Sequence, residues 1–162
     1  MKAVVVYESL WGNTAAIARA IAEGLGPDAI ALSTAEATPA RVAGVDLLVA
    51  GAPIQGFGLP SARMRAGIKP DQDPAPDLSM PTLDSWLEGL PAGSGRFAAF
   101  ETKIWWSPGS AAAAIDRELT SAGYRPVAKP EKFIVKGQSG PLKDGELERA
   151  RAWGSRLRAA LA

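Results

Sequence analysis

Apolar residues follow two alternating rhythms along this chain: short unbroken runs, and stripes at helical spacing. Ala3 to Tyr7 is an unbroken run with three consecutive valines, the pattern of a strand buried on both faces. Ile17, Ala18, Ile21, Ala22 and Leu25 then recur on one side of a helix that ends at Gly26-Pro27. Ala29 to Leu32 predicts a second strand. Val45 to Ala50 predicts a third, closed by Gly51-Ala52-Pro53. Phe97 to Phe100 predicts a fourth after a Gly-Ser-Gly turn. Thr82 to Leu90 reads as a short helix started by Pro81, and Ser110 to Ser121 as a helix entered through Pro108-Gly109. Val127 and Phe133 to Val135 offer a broken fifth strand, interrupted by Pro130. Leu147, Ala150, Leu157 and Leu161 stripe a closing helix from about Asp144.

Strands alternating with helices predict an α/β fold, a parallel sheet with helices on both faces. Ligands in such sheets bind beyond the carboxyl ends of the strands. The stretch from Gly58 to Pro81 is different. It holds five prolines and no clear period, which predicts a long loop with room for one turn of helix. No internal repeat or interdomain linker interrupts the pattern, so residues 1–162 are expected to form a single domain.

Composition narrows the chemistry. With 47% hydrophobic and 22% charged residues, the chain has enough apolar material for a core. It has neither cysteine nor histidine, which removes disulfides, thiolate metal sites, Ser–His triads and zinc–histidine sites. Chemistry near neutral pH then falls to carboxylates, hydroxyls, lysines, an oxygen-bound metal or a cofactor. A net charge of +1 gives no electrostatic reason to expect nucleic acid as a partner. The opening apolar run stops at Tyr7, too short for a signal peptide or a membrane span, and a cytoplasmic location is the expectation.

Three loops carry the candidate site. The first, Glu8-Ser9-Leu10-Trp11-Gly12-Asn13-Thr14, joins the first strand to the first helix. Helix N-termini present free amides and a positive dipole end, so an anion is favoured there. The loop contains no lysine or arginine, so a phosphate would be held by amides and hydroxyls. The competing reading is a plain helix cap by Asn13 or Thr14. The second loop, Gly51 to Gly58, is glycine-rich. It lets backbone groups reach the edge of a planar ligand while Phe57 covers a ring face. The third, Glu101 to Gly109, carries Trp105 and Trp106, whose area calls for a bound ring, a partner or burial. Neither a Gly-Lys-Ser/Thr phosphate loop nor a G-x-G-x-x-G dinucleotide turn is present.

These three loops, in this order, resemble those of the flavodoxin-like FMN-binding family. Tyr7 to Thr14 looks like its phosphate loop. The aromatic Trp11 before Gly12 is most similar to flavodiiron FMN modules and multimeric quinone reductases. Gly51-Ala52-Pro53 resembles the start of the second flavin loop, and Phe100 to Gly109 stands where the third belongs. The resemblance implies a doubly wound five-stranded parallel sheet of order 2-1-3-4-5. It implies that Ser9, Leu10, Trp11, Gly12, Asn13 and Thr14 hold the FMN phosphate. Pro53, Ile54, Gln55, Gly56, Phe57 and Gly58 would flank the flavin, with Glu101, Thr102, Lys103, Trp105, Trp106 and Gly109 closing the other side. Ile54 stands where the family usually has threonine, and Ile104-Trp105-Trp106 is bulky where small residues are common.

The implied function is electron transfer through FMN, with a redox partner protein or a small quinone-like acceptor. Two alternatives stand beside it: an NAD(P)H-dependent quinone- or porphyrinogen-type oxidoreductase, and a module that has lost FMN and acts by binding. A phospho-accepting receiver of similar topology needs an aspartate where this chain has Gly51. Arg63, Arg65 and Lys69 are candidates to meet an acidic partner or simply to face water.

Overall fold

The computed structural model describes residues 1–162. Six parallel strand segments make one sheet: β1 (Ala3–Tyr7), β2 (Ala29–Ser33), β3 (Leu47–Pro53), β4 (Arg96–Ile104), β5 (Arg125–Pro126) and β6 (Glu131–Val135). The helices are α1 (Asn13–Leu25), α2 (Pro39–Val42), α3 (Ala62–Ala66), α4 (Leu83–Glu88), α5 (Ala111–Ser121) and α6 (Glu146–Leu161). The order is β2-β1-β3-β4-β5, with β6 also paired to β4. Arg96 opposes Arg125 and Phe100 opposes Glu131, so β5 and β6 occupy one sheet position in two pieces. The break runs through residues 127–130, and Val127 lies in it rather than in a strand, donating its amide to Phe97 O. Pro130 has no N–H for a ladder, which suits this break.

The unbroken apolar runs are explained by what covers them. Ala3, Val5 and Tyr7 point to one face of β1, where α1 and α6 pack through Ile17, Ile21, Leu25, Trp153 and Leu157. Val4 and Val6 point to the other, with Leu83 and Leu87 of α4 and Ala112, Ile115 and Leu119 of α5. Strands buried on both sides cannot alternate apolar with polar. Phe100, Phe133 and Trp153 meet edge-to-face with centroids 6.1–6.5 Å apart, which places Trp153 in the core.

Boundaries differ from the sequence expectation where backbone contacts decide them. β3 starts at Leu47 rather than Val45 and runs on through Gly51-Ala52-Pro53. Gly51 is required there, because a Cβ would lie 2.1 Å from the Phe100 ring. α6 begins at Glu146 rather than Asp144, behind Gly145. Two helix glycines let α1 and α6 touch: a Cβ on Gly24 would lie 2.0 Å from Arg151 O, and one on Gly154 2.3 Å from Ile21 O. No helix is long and apolar enough to cross a membrane.

Candidate functional site

The carboxyl ends of β1, β3, β4 and β6 open into a cleft of about 430 Å³, within the range of small-molecule sites. Its walls are Ser9, Leu10, Trp11, Asn13 and Thr14 from the first loop, Pro53, Ile54, Gln55 and Gly56 from the second, and Thr102, Lys103 and Ile104 with Ser107 from the third, which was expected to be loop from Glu101 but stays in β4 through Ile104 because β6 pairs with it there. Met64, Gly67 and Ile68 beside α3, with Val135 and Gln138 after β6, complete it. Lys103 is the one full charge in this lining, and no carboxylate faces the cleft.

The first loop leaves amides free at the start of α1. Gly12 caps α1 at φ +91° with no side-chain cap, so neither Asn13 nor Thr14 has the capping role considered for it. Instead Ser9 Oγ accepts from the Gly12 and Ala15 amides at 3.1 and 3.3 Å, and Ala16 N donates to Gly12 O. The Leu10 and Trp11 amides donate to nothing within the chain. Asn13 and Thr14 open the helix, where no preceding turn supplies their amides with acceptors. Thr14 Oγ1 and Thr102 Oγ1 share a buried hydrogen bond of 2.8 Å, tying the first loop to the third.

The second and third loops brace each other. Ile54 N donates to Thr102 O at 3.0 Å, and Gln55 and Gly58 exchange both backbone bonds. Phe57 sits at φ +74°, the sole non-glycine residue there, and its carbonyl presses on Gly109, whose Cβ would lie 1.7 Å away. Gly109 is itself at φ +83°.

Several expected site residues do not line the cleft. Phe57, Trp105 and Trp106 are 73%, 76% and 64% exposed, so these rings face water rather than cover an interior face. Gly12, Gly58 and Gly109 shape the loop backbones. Glu101 is buried on the far side of β4, where Ser110 Oγ donates to its Oε1 at 2.6 Å and Oε2 has no partner. The residues that sequence reasoning missed had weak signals. Met64 and Ile68 stand four apart within the proline-rich stretch, and Val135 ends a strand as Pro53 and Ile104 do.

That proline-rich stretch is a strap laid over the first loop. Trp11 Nε1 donates to Pro74 O at 2.9 Å, Asp77 N to Leu10 O at 2.6 Å, and Ser9 N to Met80 Sδ at 3.4 Å. Hydrogen bonds from the Ser79 hydroxyl and amide hold the Asp77 carboxyl below its usual value. Glu8 turns away from the cleft and is wholly buried. Its Oε1 accepts from Leu83 N at 2.8 Å and its Oε2 from Arg65 at 3.3 Å. Burial pushes the Glu8 carboxyl above its ordinary value; the Leu83 amide and the Arg65 guanidinium pull it back in part. Arg65, a candidate for an acidic partner, is thus occupied internally.

Neither a family model nor a curated protein matches this sequence. Solved structures do. The chain is similar to a flavodoxin from the domain Archaea, at 20% identity over 99% of both chains with a TM-score of 0.72. It is similar to oxidised Flavodoxin 1 from Bacillus cereus, at 17% identity over 100% of both chains with a TM-score of 0.70. The rubredoxin oxygen:oxidoreductase of Desulfovibrio gigas matches at 19% identity and a TM-score of 0.69, over 99% of this chain and 36% of that one. At such identities the likeness speaks for architecture. With the strand order 2-1-3-4-5, it makes this chain a member of the flavodoxin-like α/β fold.

Proposed function

We propose that residues 1–162 act as one FMN-binding unit that transfers electrons in the cytoplasm. The observation that carries this reading is the set of free amides at the N-terminus of α1, opening into a cleft with no carboxylate on its walls. An anionic tail fits there by dipole and hydrogen bonds. The amides of Leu10, Trp11, Asn13 and Thr14 would hold the phosphate. Ile54, Gln55, Gly56, Thr102 and Lys103 would hold the ring end, where apolar and polar groups alternate.

Bound FMN supplies one- and two-electron transfer. The chain's own part is to bind, orient and shield. The Thr14–Thr102 bond fixes the spacing of the first and third loops, and Ile54 N–Thr102 O fixes that of the second and third. Lys103, whose Nζ lies 3.4 Å from Gly109 O, brings positive charge to the wall and would favour a reduced, anionic ring. The exposed Phe57, Trp105 and Trp106 support docking of a redox partner protein at the mouth. They equally suit a planar quinone-like acceptor, and NAD(P)H-dependent quinone turnover by the loaded protein separates a reductase from a carrier.

Titration with FMN tests the reading. Quenching of flavin fluorescence at a one-to-one ratio supports it. Protein that neither quenches FMN nor takes up its visible absorbance refutes it.

A further inference from the structure

The strap and the first loop meet at successive residues, Trp11 with Pro74, Leu10 with Asp77 and Ser9 with Met80. The wall of the anion cradle therefore depends on where the strap lies. Leu59 packs against the core at the strap's leading end, but beyond it regular structure is slight. α3 contributes no buried residue to the core, and residues 67–81 form no helix or strand. Arg65 is the one residue of α3 that is not exposed. It spans two anchors, donating from Nη2 to Glu8 Oε2 and from Nη1 to Met80 O. Glu8 in turn precedes Ser9 and also receives Leu83 N, so the clasp joins β1, the strap and α4.

A buried ion pair is a poor device for stability alone, since apolar side chains of similar volume often serve as well. Here Arg65 Nε is buried without an acceptor, so the guanidinium is not even fully satisfied. What the fork does provide is a fixed geometry between two oxygens. We propose that Arg65 is a positioning residue for the anion cradle, setting the first loop through its clasp on Glu8 and Met80. This rests on the FMN reading and deepens it by naming what pre-shapes the phosphate end.

Riboflavin lacks the phosphate, so comparing it with FMN isolates that end of the ligand. Fluorescence titrations of both flavins are run on wild type, Arg65→Lys and the double variant Glu8→Gln/Arg65→Met. Lysine keeps the charge but cannot fork to both oxygens. The double variant leaves no lone buried charge if Arg65→Lys folds poorly. FMN affinity is expected to fall about tenfold in either variant, the value of one or two positioned hydrogen bonds. Riboflavin affinity is expected to stay unchanged. Amide exchange on the flavin-free protein supplies the second readout: the Gly12 and Ala15 amides, held by Ser9 Oγ, should exchange faster in the variants while β4 does not. Equal losses for both flavins, or unchanged exchange at Gly12 and Ala15, overturn the proposal. A wild type that binds neither flavin defeats the FMN reading itself, and the exchange result then still decides whether Arg65 sets the loop.

Discussion

Replacing Gly109 by alanine is expected to damage the cleft more than the backbone conformation alone would require. Two effects add. Gly109 lies at φ +83°, where an L-residue costs about 1–2 kcal/mol. Its new Cβ would also stand 1.7 Å from Phe57 O, and real contacts essentially never fall under 3.0 Å, so the carbonyl must retreat by the difference. Because the obstacle is backbone, that movement is carried into the second loop, and forced displacement of packed structure typically costs about 1–3 kcal/mol more. Gly145→Ala is the internal ruler: it shares the conformation at φ 86° but has open space around its Cβ. At about 2–4 °C per kcal/mol for a chain of this size, thermal melts should place Gly145→Ala a few degrees below wild type and Gly109→Ala about twice as far down. FMN affinity should weaken about tenfold in Gly109→Ala and not in Gly145→Ala. Equal melting temperatures with equal FMN affinities would refute the claim that these two loops brace each other through this glycine.

Two other outcomes follow from the same geometry. Gly154→Ala gains about 1 kcal/mol of helix propensity, but the methyl would meet Ile21 O at 2.3 Å. Against an overpacking cost of about 1–3 kcal/mol, the net effect in urea unfolding should be a loss of about 1 kcal/mol, and a gain would show that α1 and α6 part easily. Burial alone would raise the Glu146 carboxyl, but hydrogen bonds from Arg149 and the Ile134 amide outweigh it and hold it below 4.5. Its contribution is therefore present above the ordinary value of 4.5 and is lost as pH falls through the lowered one. Urea midpoints measured at about pH 6 and about pH 3 should drop less in Glu146→Gln than in wild type.

The sheet was readable in the sequence because burial on both faces forces continuous apolar runs, as in Ala3–Tyr7 and Phe97–Phe100. The first loop was readable because its place between strand and helix defines its free amides. What stayed hidden depended on contacts between distant segments. Nothing local distinguishes Arg65 from the exposed Arg63, since what turns Arg65 inward is Glu8, far away in the chain. The outward setting of Phe57, Trp105 and Trp106 was hidden for a related reason: aromatic area says that a ring needs cover, but only the contact between Phe57 and Gly109 shows how the second loop carries its ring. Val135 and Gln138 joined the cleft only because the fifth strand position is split, which carries β6 level with the end of β4.

The chain leaves β1 toward one face of the sheet, into α1, and leaves β3 toward the opposite face, by way of α4 to β4. Between those departures a hollow is unavoidable, whatever side chains border it. Substitutions can reline it, crowd it or change its taste in ligands. They cannot relocate it without rewiring the connectivity, so the whereabouts of the chemistry are inherited with the topology while its character is free to drift loop by loop.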